Sequence, residues 1–167
     1  MRKIFITGMP GCGKSRLIKE FLKFYSGKVS GILTEEIREK GKRVGFKIKD
    51  IATGKERILA HVNILTGPQV SKYHVDVDAL EEVAIPALSR EADLYIIDEI
   101  GKMELLSEKF EEKVKELLIS NKDVLATLHR EYVDKYKPFG EIIILEKKYW
   151  DKVFRKVLAI FSDKTNF

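Results

Sequence analysis

The feature that most constrains the fold of this chain is the stretch ITGMPGCGKSRL, residues 6 to 17. Within it, residues 8 to 15 match the pattern G-x-x-x-x-G-K-[ST], a glycine-rich loop that wraps a phosphate chain. A buried strand predicted for Lys3 to Thr7 precedes the loop, and apolar residues recur at helical spacing from Ser15 onward. The motif and its context therefore predict a P-loop between a strand and a helix.

The residue types of this loop suit the chemistry of a polyphosphate. Glycines let successive backbone N–H groups turn towards phosphate oxygens, and the following helix adds the positive end of its dipole. Lys14 is expected to bring a mobile positive charge to the outer phosphates, and the hydroxyl of Ser15 is expected to ligate Mg²⁺. The residues predicted to bind the nucleotide are Gly8, Met9, Pro10, Gly11, Cys12, Gly13, Lys14, Ser15 and Arg16.

A second motif, LYIIDEIG, places acids at the end of an apolar strand. Asp98 is predicted to meet the Mg²⁺ ion there, directly or through a water, and so to share the metal with Ser15. Glu99 is interpreted as the catalytic base, which accepts a proton from an attacking water. The alternative for Glu99 is a solvated carboxylate without a role in catalysis.

Strands and helices alternate along the chain, which predicts a three-layer α/β fold with a mostly parallel sheet and helices on both faces. Residues 1–167 are interpreted as a single P-loop NTPase domain. A strand predicted for Val29 to Ile37 comes between the P-loop strand and the acid strand along the chain. This added strand is expected to insert into the sheet between those two strands, as in the P-loop ATPases that use a catalytic glutamate.

The remaining segments carry weaker patterns. Residues 38 to 43 are predicted to form a charged turn, residues 44 to 62 a β-hairpin, and residues 63 to 78 a long connection. Asp78 is predicted to cap a helix over residues 79 to 91. The basic, aromatic segment 146 to 156 is interpreted as part of an amphipathic helix with a solvated basic side, and a nucleic-acid-binding face is the alternative.

Composition narrows the class of protein. Cys12 is the sole cysteine, which excludes an internal disulfide and fits a reducing compartment. No stretch approaches the ~18 apolar residues of a membrane span, so a cytoplasmic protein that does not associate with membranes is expected. Charged residues are abundant, with one Gln and three Asn, a bias that suggests a thermophilic source. The net charge of +5 permits a nucleic-acid partner without requiring one.

Several polar residues follow predicted strand ends and are secondary candidates. Arg38 and Arg130 are each in a position to stabilise charge on the γ-phosphate, and the alternative for each is a solvated arginine. Thr127 and His129 are interpreted either as sensors of that phosphate or as a hydrogen-bonded pair at a strand end. Tyr73 is interpreted either as a stacking partner for the base or as a rim aromatic without a role.

Four segments occur in an order that resembles the THEP-type P-loop nucleoside-triphosphatases, a family that includes the cancer-related nucleoside-triphosphatase. These segments are GMPGCGKS, GILTEEIR, VGFKIKDIATGKE and DEIGKMEL. The resemblance implies a soluble, Mg²⁺-dependent enzyme that slowly hydrolyses ATP, GTP and other NTPs to the diphosphate and phosphate. It implies phosphate binding by residues 8 to 15, metal binding by Asp98 and a base role for Glu99, and it favours Arg38 as the catalytic arginine.

Two other functions stay open from the sequence. A nucleotide or polynucleotide kinase would use the same loop, although Glu99, the added strand and the lack of an arginine-rich lid argue against a small-nucleotide kinase. A nucleic-acid-stimulated ATPase, in which hydrolysis resets a conformational state, is compatible with the net charge. No base-specifying pattern is present, which predicts broad NTP use, and the chain is expected to be a monomer.

Overall fold

The computed structural model describes residues 1–165. Within that range the chain forms nine strands and five α-helices, joined by turns and short 3₁₀ segments, and no helix is both long and apolar enough to cross a bilayer. The strands are β1 (Lys3–Thr7), β2 (Val29–Glu39), β3 (Lys42–Asp50), β4 (Glu56–His61), β5 (Gln69–Val70), β6 (Tyr73–Val75), β7 (Leu94–Ile100), β8 (Asp123–Leu128) and β9 (Glu141–Ile144). The helices are α1 (Lys14–Leu22), α2 (Val77–Ser89), α3 (Glu108–Leu118), α4 (Val133–Tyr136) and α5 (Trp150–Ile160).

All the strands join one sheet, in the order β5-β6-β4-β3-β2-β7-β8-β1-β9. The five strands from β2 to β9 in this order run parallel to one another. The other four extend the sheet beyond β2 in antiparallel pairs. In the parallel half, Ile6 lies beside Thr127 and Leu33 lies beside Asp98, so the predicted site residues reach the same edge. This confirms the α/β class with a parallel central sheet.

Alternate residues of the central strands face two separate hydrophobic cores. Phe5 of β1 packs into the core that α2 and α3 cover, whereas Ile4 and Ile6 pack into the core that α1 and α5 cover. Both cores consist of side chains that are almost completely buried. Because β1, β7 and β8 are covered on two faces, nearly all of their residues are buried and their sequences do not alternate between apolar and polar residues. The helices on both faces match the alternation of elements along the chain.

The antiparallel half is larger than the single hairpin that the sequence predicts. The hairpin over residues 44 to 62 is confirmed as β3 and β4, but β2 also continues to Glu39 and turns back at Lys40 and Gly41. The predicted charged turn over residues 38 to 43 is confirmed at its centre, Lys40 and Gly41, while its outer residues belong to β2 and β3. Charges also pair across this exposed ladder, as Glu36 does with Arg43.

Two further expectations about the sheet need correction. The strand that separates β1 from β7 in the sheet is β8, and the added strand β2 lies on the other side of β7. The predicted connection over residues 63 to 78 contains β5 and β6, which have two and three residues. Strands this short carry too few residues for an alternating pattern, so the sequence gives no signal for them.

Helix α2 begins two residues earlier than predicted. The Asp76 side chain caps it by accepting a hydrogen bond from the backbone N–H of Ala79 at 3.0 Å, and Asp78 lies in the first turn instead. Both aspartates are suitable cap residues. Tertiary structure decides that Asp76 and not Asp78 is the cap residue, because the backbone N–H of Asp76 donates to the carbonyl of Leu59 on β4. The helix ends at Ser89 rather than at Glu91.

Candidate active site

The glycine-rich loop lies at the carboxyl edge of the parallel strands, where it joins β1 to α1. Gly8 and Gly13 adopt positive φ angles of 155° and 100°. A Cβ atom at Gly8 would collide with the carbonyl oxygen of Leu145, and one at Gly13 would lie 2.8 Å from Cδ1 of Trp150. Glycine is therefore required at both positions by the backbone angle and by the available space.

Positive charge is concentrated on this loop. The ammonium group of Lys14 folds back over it, and Nζ donates to the carbonyl oxygens of Gly8 at 3.1 Å and Met9 at 3.4 Å. Helix α1 carries no acidic residue in its first turn, so nothing there opposes the positive end of its dipole. An anion at the loop would meet both the ammonium group and the free backbone N–H groups of the helix terminus.

Asp98 connects the loop to the neighbouring strands. Its carboxylate accepts hydrogen bonds from the hydroxyl of Ser15 at 2.9 Å and from the hydroxyl of Thr127 at 2.7 Å. Asp98 is only 2% exposed, and burial raises its pKa although the two hydroxyl groups oppose the shift. The structure therefore brings Ser15 and Asp98 together, as the sequence predicts for a shared metal site. Their roles as metal ligands stay a prediction.

The oxygen atoms of Ser15 and Asp98 fit Mg²⁺ better than a transition metal. Hydroxyl and carboxylate oxygens are hard ligands, which Mg²⁺ prefers. Within residues 1–165 no three His, Cys, Asp or Glu side chains are grouped so as to hold a metal ion by themselves. One carboxylate and one hydroxyl suit a cation that keeps several waters and takes its other ligands from substrate phosphates.

Two further acids lie beside Asp98, and sequence reasoning identified only one of them. Glu99 is half-buried, and Glu104, in the 3₁₀ turn after β7, is 3% exposed. A Cβ atom on Gly101 would lie 2.7 Å from Oε1 of Glu99 and 3.0 Å from Oε1 of Glu104, so both carboxyl groups crowd this glycine. Burial and the charge of Asp98 raise the pKa of Glu99. Burial and the charge of Glu99 raise the pKa of Glu104 to about 8.

Comparison with known proteins agrees with the motifs that form this site. A family model described as NTPase matches residues 3–158, nearly the whole chain. The chain belongs to this NTPase family. The nucleoside-triphosphatase THEP1 of Methanocaldococcus jannaschii is 47% identical over 163 residues, which cover 93% of this chain and 95% of the relative. THEP1 of Thermotoga maritima is 42% identical over 168 residues, which cover 96% and 95%.

Solved structures of this NTPase family share the fold. The crystal structure of THEP1 from the hyperthermophile Aquifex aeolicus matches with a TM-score of 0.82 and 31% identity, over 95% of this chain and 98% of that chain. The solution structure of a human cancer-related nucleoside triphosphatase matches with a TM-score of 0.77 and 28% identity, over 99% and 100%. The family resemblance inferred from the four sequence segments is confirmed.

Other residues singled out in the sequence lie outside the cluster around Asp98. Arg38 is exposed on the far part of β2, where Nε donates to Glu36 at 3.0 Å and a terminal nitrogen donates to the carbonyl of Gly41 at 3.2 Å. Its approach to a γ-phosphate stays a prediction. Tyr73 is 1% exposed and packs edge-on against Phe46 in the core, so neither a base-stacking role nor a rim position is correct.

His129 and Arg130 lie just after β8. The Nδ1 atom of His129 accepts a hydrogen bond from the backbone N–H of Glu131 at 3.1 Å and caps the next 3₁₀ turn, and burial lowers its pKa. Arg130 is exposed in that turn. Thr127 differs from both, because its hydroxyl contacts Asp98 directly.

A contact between the loop and α5 was missed by sequence reasoning. The basic, aromatic segment 146 to 156 contributes to the amphipathic helix α5, as predicted, and Trp150 and Val153 are among the buried residues of that helix. The indole Nε1 of Trp150 also donates to the carbonyl of Gly13 at 3.0 Å. These two residues are 137 positions apart, so no local pattern could have linked them.

Proposed function

We propose that this nucleoside-triphosphatase hydrolyses ATP, GTP and other NTPs to the diphosphate and phosphate, with Mg²⁺ as cofactor and with broad base specificity. The observation that carries the proposal is the contact of Ser15 with Asp98, with Glu99 adjacent in the chain. It joins a phosphate loop, a suitable set of metal ligands and a candidate base in one cluster at the edge of the sheet.

Each residue has a stated role in this mechanism. The backbone N–H groups of residues 8 to 15 hold the β- and γ-phosphates, and Lys14 leaves the loop carbonyls to neutralise charge on the transferred group. Ser15 and Asp98 would hold Mg²⁺, which withdraws charge from the phosphate oxygens when it is bound. Arg38 is proposed to add charge stabilisation from the far end of β2.

Glu99 is proposed to orient the attacking water and to accept its proton. As the water oxygen bonds to the γ-phosphorus, the bond from that phosphorus to the bridging oxygen breaks, and the diphosphate leaves with the bond electrons. Burial and Asp98 raise the pKa of Glu99, which strengthens its conjugate base. Glu99 is half-buried and lies within electrostatic reach of both Asp98 and Lys14, which suits this proton transfer.

The test is phosphate release from ATP, GTP, CTP and UTP with Mg²⁺, for the wild type and for Glu99→Gln. Loss of the base is expected to lower kcat by roughly 10²- to 10⁴-fold for all four substrates, while nucleotide affinity stays within a factor of two. Glu91→Gln, an exposed carboxylate just before β7, is the matched control and should retain wild-type turnover. Normal hydrolysis by Glu99→Gln would show that the base assignment is wrong.

The same assay distinguishes the alternatives, when it is repeated with a single-stranded oligonucleotide. Release that is independent of the oligonucleotide supports the hydrolase. Label that moves onto the oligonucleotide end would indicate a polynucleotide kinase, and release that requires it would indicate a nucleic-acid-stimulated ATPase. Light scattering of the assayed sample tests the proposed monomer.

A further inference from the structure

The side chain of Trp150 links the phosphate loop to a stack of planar groups. Its indole donates to the carbonyl of Gly13 at 3.0 Å, which fixes the ring beside the last glycine of the loop. The guanidinium carbon of Arg16 lies 3.8 Å from the centre of that ring. The ring of Phe154 also stacks on the indole, with a centroid distance of 5.0 Å and an interplanar angle of 19°. Arg16, Trp150 and Phe154 therefore form one stack.

Arg16 is the solvent-facing member of this stack. Its side chain is exposed, whereas Trp150 is 8% exposed. In the part of the chain that the structure describes, no carboxylate lies within 4.0 Å of its guanidinium nitrogens, and Glu20, one turn further along α1, pairs with Lys23. The guanidinium thus lies over the indole, and no carboxylate of the described residues neutralises its charge. A flat cation with a free face is a surface on which an aromatic ring stacks.

The stack opens onto a groove between α1 and α5. The groove has a volume of about 730 Å³, and its lining includes the basic residues Arg16 and Arg155, the acids Glu20 and Asp151, and the aromatic rings of Phe24 and Trp150. This volume is within the range of sites for small molecules. Since Arg16 directly follows Ser15, the groove starts where the phosphate loop ends. The guanidinium of Arg16 is therefore adjacent to the loop on which the proposed function places the phosphates.

We propose that the guanidinium of Arg16, supported by Trp150, is the platform on which the base of the bound nucleotide stacks in this groove. The inference rests on the proposed function, because it assumes that the phosphates lie on residues 8 to 15. Every base has a π-face, and stacking on it does not depend on the hydrogen-bonding edge of the base. The platform therefore explains broad base use by a physical feature of the site.

The single tryptophan allows a direct test. The fluorescence of Trp150 is followed during titration with ATP, CTP and inorganic tripolyphosphate, each with Mg²⁺, and the ratio of the tripolyphosphate Kd to the nucleotide Kd is measured. The wild type is expected to bind ATP and CTP about tenfold more tightly than tripolyphosphate. Arg16→Lys keeps the charge but loses the plane, so the ratio should fall to near one, with tripolyphosphate affinity little changed. Arg16→Ala should lower the ratio in the same way.

Arg155→Ala is the matched control, because it removes a positive charge from the same groove but leaves the stack intact, and its ratio should match that of the wild type. A ratio near one in the wild type would overturn the proposal, and so would a wild-type ratio that Arg16→Lys leaves unchanged. An Arg16 variant that binds nucleotide and tripolyphosphate equally more weakly than the wild type would overturn it as well. Binding is measured separately from turnover. A protein that shows the expected ratios but releases no phosphate would support the platform and contradict the hydrolase.

Discussion

Replacement of Glu104 by Gln is expected to change how the free energy of unfolding depends on pH. Glu104 is 3% exposed, and its Oε2 accepts a long hydrogen bond from the hydroxyl of Thr34 at 3.5 Å. Burial and the charge of Glu99 raise its pKa from 4.5 to about 8. The folded protein therefore binds a proton on Glu104 over a pH range in which the unfolded chain has released it.

The sign and size of the effect follow from this shift. Because the folded pKa is raised, the contribution of Glu104 is most favourable below pH 4.5 and decreases as the pH rises to about 8. The decrease is about 1.4 kcal/mol per pH unit, or about 3 kcal/mol between pH 5 and pH 7. The free energy of unfolding of such a domain is only about 5–15 kcal/mol, so a change of about 3 kcal/mol is a large share of its stability. Glutamine has a similar shape and does not titrate, so its contribution is constant.

The assay is urea unfolding of the wild type and Glu104→Gln at pH 5, 6, 7 and 8, without nucleotide and with a chelator. The difference in unfolding free energy between the two proteins should increase by about 3 kcal/mol from pH 5 to pH 7 in favour of the variant, and should level off above pH 8. Glu112→Gln, an exposed position on α3, is the matched control and should follow the wild type. Parallel pH profiles for the wild type and Glu104→Gln would refute the reasoning.

Three further predictions concern the same edge of the sheet. Gly101→Ala adds a Cβ 2.7 Å from Oε1 of Glu99, so kcat should fall about tenfold or more with a small change in Tm; unchanged turnover would contradict this crowding. Thr127→Val removes the 2.7 Å hydrogen bond to Asp98 and should lower the unfolding free energy by about 1–3 kcal/mol in denaturant titrations. Cys12 is 7% exposed, so it should alkylate slowly, and saturating nucleotide should slow the reaction further; equal rates would argue against phosphate binding at the loop.

The parts of the site that the sequence predicts are those encoded in contiguous residues. The phosphate loop and the acid strand each combine a local motif with an apolar strand, and β1 has the predicted bounds, Lys3–Thr7. Parallel pairing then brings the two motifs to one edge by topology alone. The contact between Ser15 and Asp98 is therefore accessible to sequence reasoning, although the residues are 83 positions apart.

The parts that sequence reasoning missed depend on tertiary contacts. Trp150 has the spacing of an ordinary core residue, and its bond to Gly13 depends on how α5 packs on α1. Glu104 lies between Met103 and Leu105 in a segment without helical or strand periodicity, and the 3₁₀ turn that buries it packs against α2, α3 and β7. Local patterns predict secondary structure, but they do not specify which polar side chain a turn buries.

A second buried acid of the same protein shows why the acids beside the loop indicate a site and not a structural ion pair. Asp50 is 3% exposed, and Arg90 bonds to both of its carboxylate oxygens, at 3.1 and 3.0 Å. Burial acts to raise its pKa, but Arg90 and two backbone N–H groups outweigh burial and lower it. Asp98 and Glu104 are as deeply buried, and their pKa values are raised.

Within residues 1–165 no cationic side chain lies within 4.0 Å of the carboxylate of Asp98, Glu99 or Glu104. A carboxyl group that ionises while buried without a cation destabilises the fold, and at Asp50 an arginine removes that cost. An arginine thus neutralises the buried carboxylate of Asp50, whereas the described residues include no such partner at the edge of the sheet beside the glycine-rich loop. Acids without a cationic partner beside the glycine-rich loop fit the roles proposed for them, in which Asp98 holds a cation and Glu99 accepts a proton.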